Sequence, residues 1–162
     1  MRNRGTAGIL AILLIGALAA PVAAAQQRPM EGTYSAVPAA ELPEQRCPGA
    51  LTIGFQISGT ATHLGQFDGV GTNCTEFTFT TEAVAIWDGI TVIEAADGST
   101  LTLHAEGGQD APVNGVATYS HVNTVVGGTG RFADAEGVMT ISGSINFATF
   151  EISGSVSGWL SY

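Results

Sequence analysis

One of the three histidines of the chain lies in a pattern that suits a binding site. His121 shares one face of a strand-like run with Tyr119 and Asn123, because side chains at alternate positions of a strand point to the same side. If this face points inward, the three side chains line a cavity and are candidate ligand-binding residues. If it points outward, they form an ordinary polar surface. The sequence identifies no catalytic residue.

The other side chains that could do chemistry are weaker candidates. His104 and Glu106 share a face opposite Leu101 and Leu103, so we expect this pair to face solvent rather than act as a general acid and base. His63 stands beside a tight turn, where a hydrogen bond between side chain and backbone explains such a residue. The histidines lack the short spacing of metal ligands, and no metal site is predicted. A Gly-x-Ser-x-Gly nucleophile motif is also missing, which argues against a hydrolase of that type.

The charge balance excludes nucleic acid as an expected partner. The 162 residues carry 14 acidic and 5 basic side chains, a net charge of −9, and every basic residue is an arginine. Binding to phosphate backbones needs clustered lysine and arginine, which this chain does not have. A surface of this charge also repels anionic membranes and favours solubility.

Residues 1–25 have the pattern of a cleaved signal peptide. Arg2 and Arg4 precede a nearly continuous apolar run, Ile9–Ala20, and the small residues Val22–Ala25 follow it. The run is shorter than the roughly 20 residues that a membrane span needs, although an uncleaved anchor is the rival interpretation. We therefore predict export, to the periplasm or the exterior, and no membrane association after cleavage.

Cys47 and Cys74 are the two cysteines of the chain. An even pair in an exported protein favours a disulfide. Closing a loop of roughly 28 residues would stabilise the fold by about 3–4 kcal/mol in the chain-entropy treatment. We interpret this pair as structural.

The mature chain divides into an irregular arm, 26–48, and a β-rich domain, 49–162. Four prolines punctuate the arm, in which we expect only a short strand, Thr33–Val37. Leu51–Ser58 alternates apolar and polar or small residues, the period of a half-buried strand. Further strands are predicted at the following positions: Gln66–Cys74, Phe77–Thr81, Ala85–Ala95, Ser99–Glu106, Gly115–Val126, Gly137–Ile145 and Thr149–Leu160.

About eight short antiparallel strands form either a sandwich or a closed barrel. Glycine is abundant, with 22 in the chain, and glycine within strands marks the bends of a strongly coiled sheet. We therefore predict an all-β fold, a single closed antiparallel eight-stranded barrel.

The most specific passage is Val125–Gly137, Val-Val-Gly-Gly-Thr-Gly-Arg-Phe-Ala-Asp-Ala-Glu-Gly. Gly127, Gly128 and Gly130 permit a sharp turn between two strands, and Phe132 then returns an aromatic ring that plugs one end of the barrel. A phosphate-binding glycine loop is the alternative, but neither a lysine nor a helical pattern follows.

This passage resembles the Val-Val-Gly-Gly-Thr-Gly-x-Phe-x-x-Ala-x-Gly signature of dirigent proteins and the wider allene oxide cyclase barrel superfamily. The resemblance covers roughly Leu51–Trp159. The segment Ala61–Gly65 is similar to one in uncharacterised secreted bacterial proteins of this barrel type. The resemblance implies an eight-stranded barrel with a mainly apolar cavity, and activities that guide or cyclise hydrophobic intermediates without metal or organic cofactor. The matched residues are turn and packing residues, so they carry the fold and not an activity.

Three functions are compatible with the sequence. The leading hypothesis is a secreted barrel that binds a small hydrophobic molecule and guides its cyclisation or isomerisation without a cofactor. The alternatives are a non-catalytic structural module with a packed barrel, and an interaction module that uses the 26–48 arm. A cavity of several hundred Å³ lined by Tyr119 or His121 would favour the first. A homo-oligomer is compatible with all three. A packed barrel would instead be filled by these residues: Phe55, Ile57, Phe132, Ile141 and Phe150.

Overall fold

The computed structural model describes residues 26–41 and 44–162, which are built almost entirely from strands. The predicted signal peptide, 1–25, lies outside the described residues. No helix in this part of the chain is long and apolar enough to cross a membrane. The strands are β1 (Arg28–Pro38), β2 (Leu51–Ala61), β3 (Gly65–Thr75), β4 (Val84–Ala95), β5 (Thr100–Gln109), β6 (Val116–Gly128), β7 (Glu136–Asn146) and β8 (Glu151–Ser161), with a 3-10 turn at Gly130–Phe132.

The strands close into a barrel in chain order. Each strand pairs antiparallel with the next, and β1 also pairs with β8. Tyr34 of β1, for example, lies opposite Gly59 of β2 on one side and Gly154 of β8 on the other. Closure leaves no strand of the barrel with an unpaired edge. The predicted all-β, closed, antiparallel eight-stranded barrel is confirmed.

The first strand differs from the prediction of an irregular arm over 26–48. β1 spans Arg28–Pro38 and is a full member of the barrel, so the barrel begins well before residue 49. Its prolines occupy the second and last positions of the strand, where a missing backbone donor is tolerated. Met30, Tyr34 and Ala36 alternate toward the interior. The alternation is short, is interrupted by Gly32 and has a proline near each end, so the sequence pattern alone did not predict the full strand.

The predicted strand Phe77–Thr81 is wrong. These residues form turns in the connection between β3 and β4, with backbone hydrogen bonds from the amides of Thr81 and Glu82 to the carbonyl of Thr78. Alternating phenylalanine and threonine has high strand propensity, but no neighbouring strand is free to pair with it once the barrel is closed. Phe77 is accordingly exposed.

One end of the barrel is packed. The Val125–Gly137 passage turns there: Gly130 adopts a φ of +59°, and Phe132 enters the barrel with no exposed surface. Its ring meets that of Tyr162 edge to face, with centroids 5.0 Å apart. Around it lie buried side chains from both halves of the barrel, which make this the hydrophobic core: Met30, Leu64, Phe67, Leu101, Leu103, Met139 and Leu160.

The β1–β2 connection is fastened to the outside of the barrel near the opposite end. The predicted Cys47–Cys74 disulfide is present, with a Cα separation of 5.8 Å, and joins this connection to β3. Next to it, the Arg46 guanidinium forms an ion pair with Asp88 and donates to the Thr72 carbonyl at 3.2 Å. Asp88 lies at a bulge of β4 with a φ of +48°. The disulfide and the ion pair together anchor this long connection.

Candidate functional site

The barrel is hollow beyond its packed end. An interior cavity of about 110 Å³ is lined by inward-facing residues of all eight strands, most of them aliphatic or aromatic. It is smaller than the several hundred Å³ expected for the ligand-binding hypothesis. No Asp, Glu, Lys or Arg of the described chain lines it. A few polar side chains reach into it from the barrel wall, which is the usual composition of a small-molecule site. The main polar groups are Tyr34, Asn73, Thr91, Gln109, Tyr119, His121 and Asn123.

Two glycines make room for a pair of tyrosines across the cavity. A Cβ atom on Gly143 of β7 would lie 2.6 Å from Tyr119 Oη, and one on Gly154 of β8 would lie 2.7 Å from Tyr34 Oη. Because both glycines lack a side chain, the tyrosine rings extend over them from β6 and β1. Their hydroxyls form a direct hydrogen bond.

The tyrosine pair is held in its neutral form. Burial raises the pKa of Tyr34 well above its usual value, and the neighbouring Tyr119 raises it further. Burial likewise raises the pKa of Tyr119, although its hydrogen bond with Tyr34 opposes that shift. Desolvation penalises the phenolate, so both side chains act at neutral pH as uncharged donors and acceptors.

His121 stands beside Tyr119, with ring centroids 5.2 Å apart. It lies over Gly107 of β5, where a Cβ atom would come within 2.9 Å of the imidazole Cδ2. Burial lowers the pKa of His121 to about 4, because the charged imidazolium loses its hydration in the barrel. Its Nε2 atom is buried and has no hydrogen-bond partner among the described residues. At neutral pH the ring is therefore uncharged.

Two asparagines complete the polar lining. Asn73 and Asn123 are 5% and 2% exposed, and Asn73 Oδ1 and Asn123 Nδ2 have no partner within residues 26–41 and 44–162. The buried amide of Gln109, by contrast, donates to the Phe79 carbonyl at 2.6 Å. A buried polar atom without a partner costs about 1–3 kcal/mol, and few are found in folded proteins. Their clustering in one cavity points to a role in binding.

The structure brings together the three residues singled out from the sequence. Tyr119, His121 and Asn123 all face the cavity, which is the inward alternative of the two that the strand pattern left open. Their function as ligand-binding residues stays a prediction. Sequence reasoning missed Tyr34 and Asn73. The alternation along their strands could have indicated an inward position. Asn73, for example, is an even number of residues from Phe67 in β3 and therefore lies on the same face of that strand.

The packed-barrel alternative describes only one end of the molecule. Of its proposed core residues, Phe132 is part of the packed end and Ile57 and Ile141 pack against that end, but both isoleucines and Phe55 also line the cavity. Phe150 is 44% exposed in the β7–β8 connection. A Cβ atom on Gly71 would lie 2.5 Å from the Phe55 ring, so this ring too rests over a glycine rather than filling the centre.

The remaining histidines lie outside the cavity. The His63 ring nitrogen is 3.1 Å from the Pro29 carbonyl, which is the hydrogen bond to backbone expected for a residue at a tight turn. His104 faces outward, and its Nε2 lies 3.8 Å from Asp88 Oδ1 rather than next to Glu106. Within residues 26–41 and 44–162, no group of three or more His, Cys, Asp or Glu side chains could hold a metal ion.

Comparison with known proteins identifies the architecture. No protein-family model and no curated protein matches the chain. Among solved structures, the pterocarpan synthase dirigent protein GePTS1 is 14% identical, with 93% of this chain and 99% of that chain covered and a TM-score of 0.50. The pterocarpan synthase dirigent protein PsPTS1 is 15% identical over 85% and 96% of the two chains, with a TM-score of 0.47.

At these identities the likeness concerns the fold. The GePTS1 match supports a dirigent-like barrel, in agreement with the resemblance carried by Val125–Gly137. The relation to allene oxide cyclases and to a secreted bacterial branch stays a prediction. A shared fold does not define an activity, which would depend on the residues that line this cavity.

Proposed function

We propose that this barrel binds a small, largely apolar molecule in its interior cavity. One observation carries the proposal: the cavity combines an apolar wall with buried polar atoms that have no partner in the part of the chain that the structure describes. Apolar lining removes a ligand from water, and a small number of fixed polar groups set its orientation. The barrel would provide both without a cofactor.

Guiding a cyclisation or isomerisation is the finer part of the proposal. A rigid cavity can hold a flexible molecule in one reactive conformation and exclude water from it. The groups available for proton movement are the neutral His121 imidazole and the hydroxyls of Tyr34 and Tyr119. Any reaction here would therefore depend on orientation and on neutral proton donors and acceptors, not on a buried charge.

We further propose that the protein works in an exported, oxidising compartment. The Cys47–Cys74 disulfide is compatible with such a location, since disulfides persist outside the reducing cytosol. The 1–25 segment supports the same proposal through its pattern. N-terminal sequencing of the protein from its natural source would test it, and a chain beginning near Gln26 is the expected result.

The binding proposal is tested with a pair of matched variants. Ala36→Leu enlarges a buried side chain that lines the cavity, whereas Val37→Leu enlarges the adjacent side chain, which is 50% exposed. Ethylbenzene, a small apolar probe, should raise the thermal unfolding midpoint of the wild type and of Val37→Leu. The Ala36→Leu variant should lose this response, because the added carbons occupy the binding volume.

Native mass spectrometry of the protein from its source would identify the natural ligand. A reproducible small added mass that disappears on mild denaturation is expected. A protein that shows no added mass and no response to ethylbenzene would contradict the proposal and favour a structural module.

A further inference from the structure

We propose that the natural ligand carries an uncharged group that both donates and accepts hydrogen bonds, of the carboxamide type, and that Asn73, Asn123 and His121 bind this group. The inference rests on the proposed function of the cavity and specifies the class of its ligand. Three independent features of the cavity support it: the chemistry of its unpartnered atoms, their placement, and its lack of charge.

The unpartnered atoms call for a ligand with mixed hydrogen-bonding capacity. Asn73 Oδ1 is an acceptor and Asn123 Nδ2 is a donor, so a ligand group must offer a donor to the first and an acceptor to the second. His121 Nε2 adds a third position, which is a donor or an acceptor according to the ring tautomer. A carbonyl alone would leave Asn73 Oδ1 without a partner. A carboxamide supplies both functions.

The two asparagines lie in one row of the barrel wall, with two small residues between them. Asn123 of β6 pairs with Ala105 of β5, which in turn pairs with Gly89 of β4. A Cβ atom on Gly89 would lie 2.5 Å from Asn73 Oδ1 and 2.8 Å from the Ala105 Cβ. The Asn73 amide of β3 thus extends over Gly89. Only the small residues Gly89 and Ala105 separate the two amides in this row of the wall, so one ligand group can contact both.

The cavity discriminates against ions. The described chain places no charged side chain in the lining, and the His121 ring and both tyrosines are neutral at pH 7. A carboxylate or ammonium group would lose its hydration there without gaining an ionic partner, which is strongly unfavourable. An excess of acidic residues in the protein adds further repulsion for anions.

The size of the cavity limits the part of the ligand that it encloses. An engineered protein cavity of about 150 Å³ holds one benzene ring. The present volume of about 110 Å³ is smaller but of that order, so the part of a ligand that the cavity encloses is no larger than about a single ring or a short chain. Single-ring probes are therefore appropriate for a test.

The experiment compares three probes of similar shape, namely benzamide, ethylbenzene and benzoate, at pH 7. Binding is measured on the full mature protein by titration of the ¹H–¹⁵N spectrum, including the side-chain amide signals of Asn73 and Asn123. We expect benzamide to bind roughly tenfold more tightly than either other probe, since one or two net hydrogen bonds correspond to that ratio. We also expect benzamide alone to shift both side-chain amide signals strongly.

Variants separate recognition of the polar group from filling of the cavity. Asn123→Leu should bring benzamide affinity to within about twofold of ethylbenzene affinity, with ethylbenzene binding retained. Thr124→Leu, an equivalent change at the adjacent exposed position, should leave all three affinities unchanged. If Asn123→Leu does not fold, the side-chain amide shifts of the wild type and the Asn73→Leu variant give the same information.

The outcomes distinguish this inference from the proposed function. Ethylbenzene binding as tight as benzamide binding would overturn the inference and leave the proposed function intact. Benzoate binding as tight as benzamide binding would overturn it as well, since it would show that the cavity accepts an anion. A spectrum unchanged by all three probes would overturn both proposals.

Discussion

Lowering the pH from 7 to 5 should destabilise this protein through a single buried side chain, His121. Burial lowers the pKa of His121 from 6.5 to about 4. Between these two values the unfolded chain binds a proton that the folded barrel does not accept. The free energy of unfolding therefore falls as the pH is lowered through this window, which is the direction expected for a depressed histidine pKa.

The size of the effect follows from the two pKa values. By proton linkage, the lowered pKa of His121 reduces the free energy of unfolding very little at pH 7 and by about 2 kcal/mol at pH 5. The loss approaches a limit of about 3 kcal/mol at lower pH. Tyr34 and Tyr119, the other titratable side chains in the cavity, stay protonated throughout because their pKa values are raised. The lowered pKa of Asp97 affects stability only at more acidic pH.

The assay is urea-induced unfolding of the wild type and of His121→Phe, followed by the fluorescence of Trp87 and Trp159 at several pH values between 7 and 5. Phenylalanine retains a ring of similar size but cannot titrate. The wild type should lose about 2 kcal/mol more than His121→Phe over this range. Thr124→Leu, a change at an exposed position that does not titrate, should keep the wild-type profile. Parallel profiles for the wild type and His121→Phe would refute the reasoning.

Three further predictions test the framework of the site. Reduction of the Cys47–Cys74 disulfide, or a double serine variant, should lower the free energy of unfolding by about 3–4 kcal/mol, because it releases a loop whose ends are 27 residues apart; an unchanged urea midpoint would contradict this. Gly143→Ala should cost about 1–3 kcal/mol and displace both the neighbouring β8 backbone and the Tyr119 ring, since the new Cβ would overlap the Ser153 carbonyl oxygen and lie 2.6 Å from Tyr119 Oη. Gly127→Ala, with nothing within 4 Å, is its control and should change stability by less than about 0.5 kcal/mol in urea unfolding. Asn123→Leu should stabilise the ligand-free protein by about 1 kcal/mol, because it removes a buried donor without a partner; a lower unfolding midpoint would show that this donor is satisfied in the folded state.

Much of the barrel could be predicted from the sequence because its determinants are local. Alternation in Leu51–Ser58, glycine-rich turns and the Val125–Gly137 passage each specify strand, turn or plug within a few residues. The same period of two placed Tyr119, His121 and Asn123 on one face of their strand, but it did not decide whether that face points inward or outward. The disulfide followed from there being two cysteines.

Several features depend on closure of the barrel and are therefore seen only in the folded structure. Arg28–Pro38 is a barrel strand because β1 closes the sheet by pairing with β8. Phe77–Thr81 stays in a turn, because a closed sheet has no free edge with which another strand could pair. The position of Tyr34 and Asn73 opposite the predicted residues depends on which strands face each other across the interior, and strand parity alone does not define that. Whether the barrel is packed or hollow depends on the summed volume of its inward-facing side chains, which come from distant parts of the chain. Gly143 and Gly154, for example, leave room at the wall for the tyrosine rings. Local sequence patterns thus predicted most of the strands and which residues share a face, whereas the cavity depends on how the closed barrel brings those faces together.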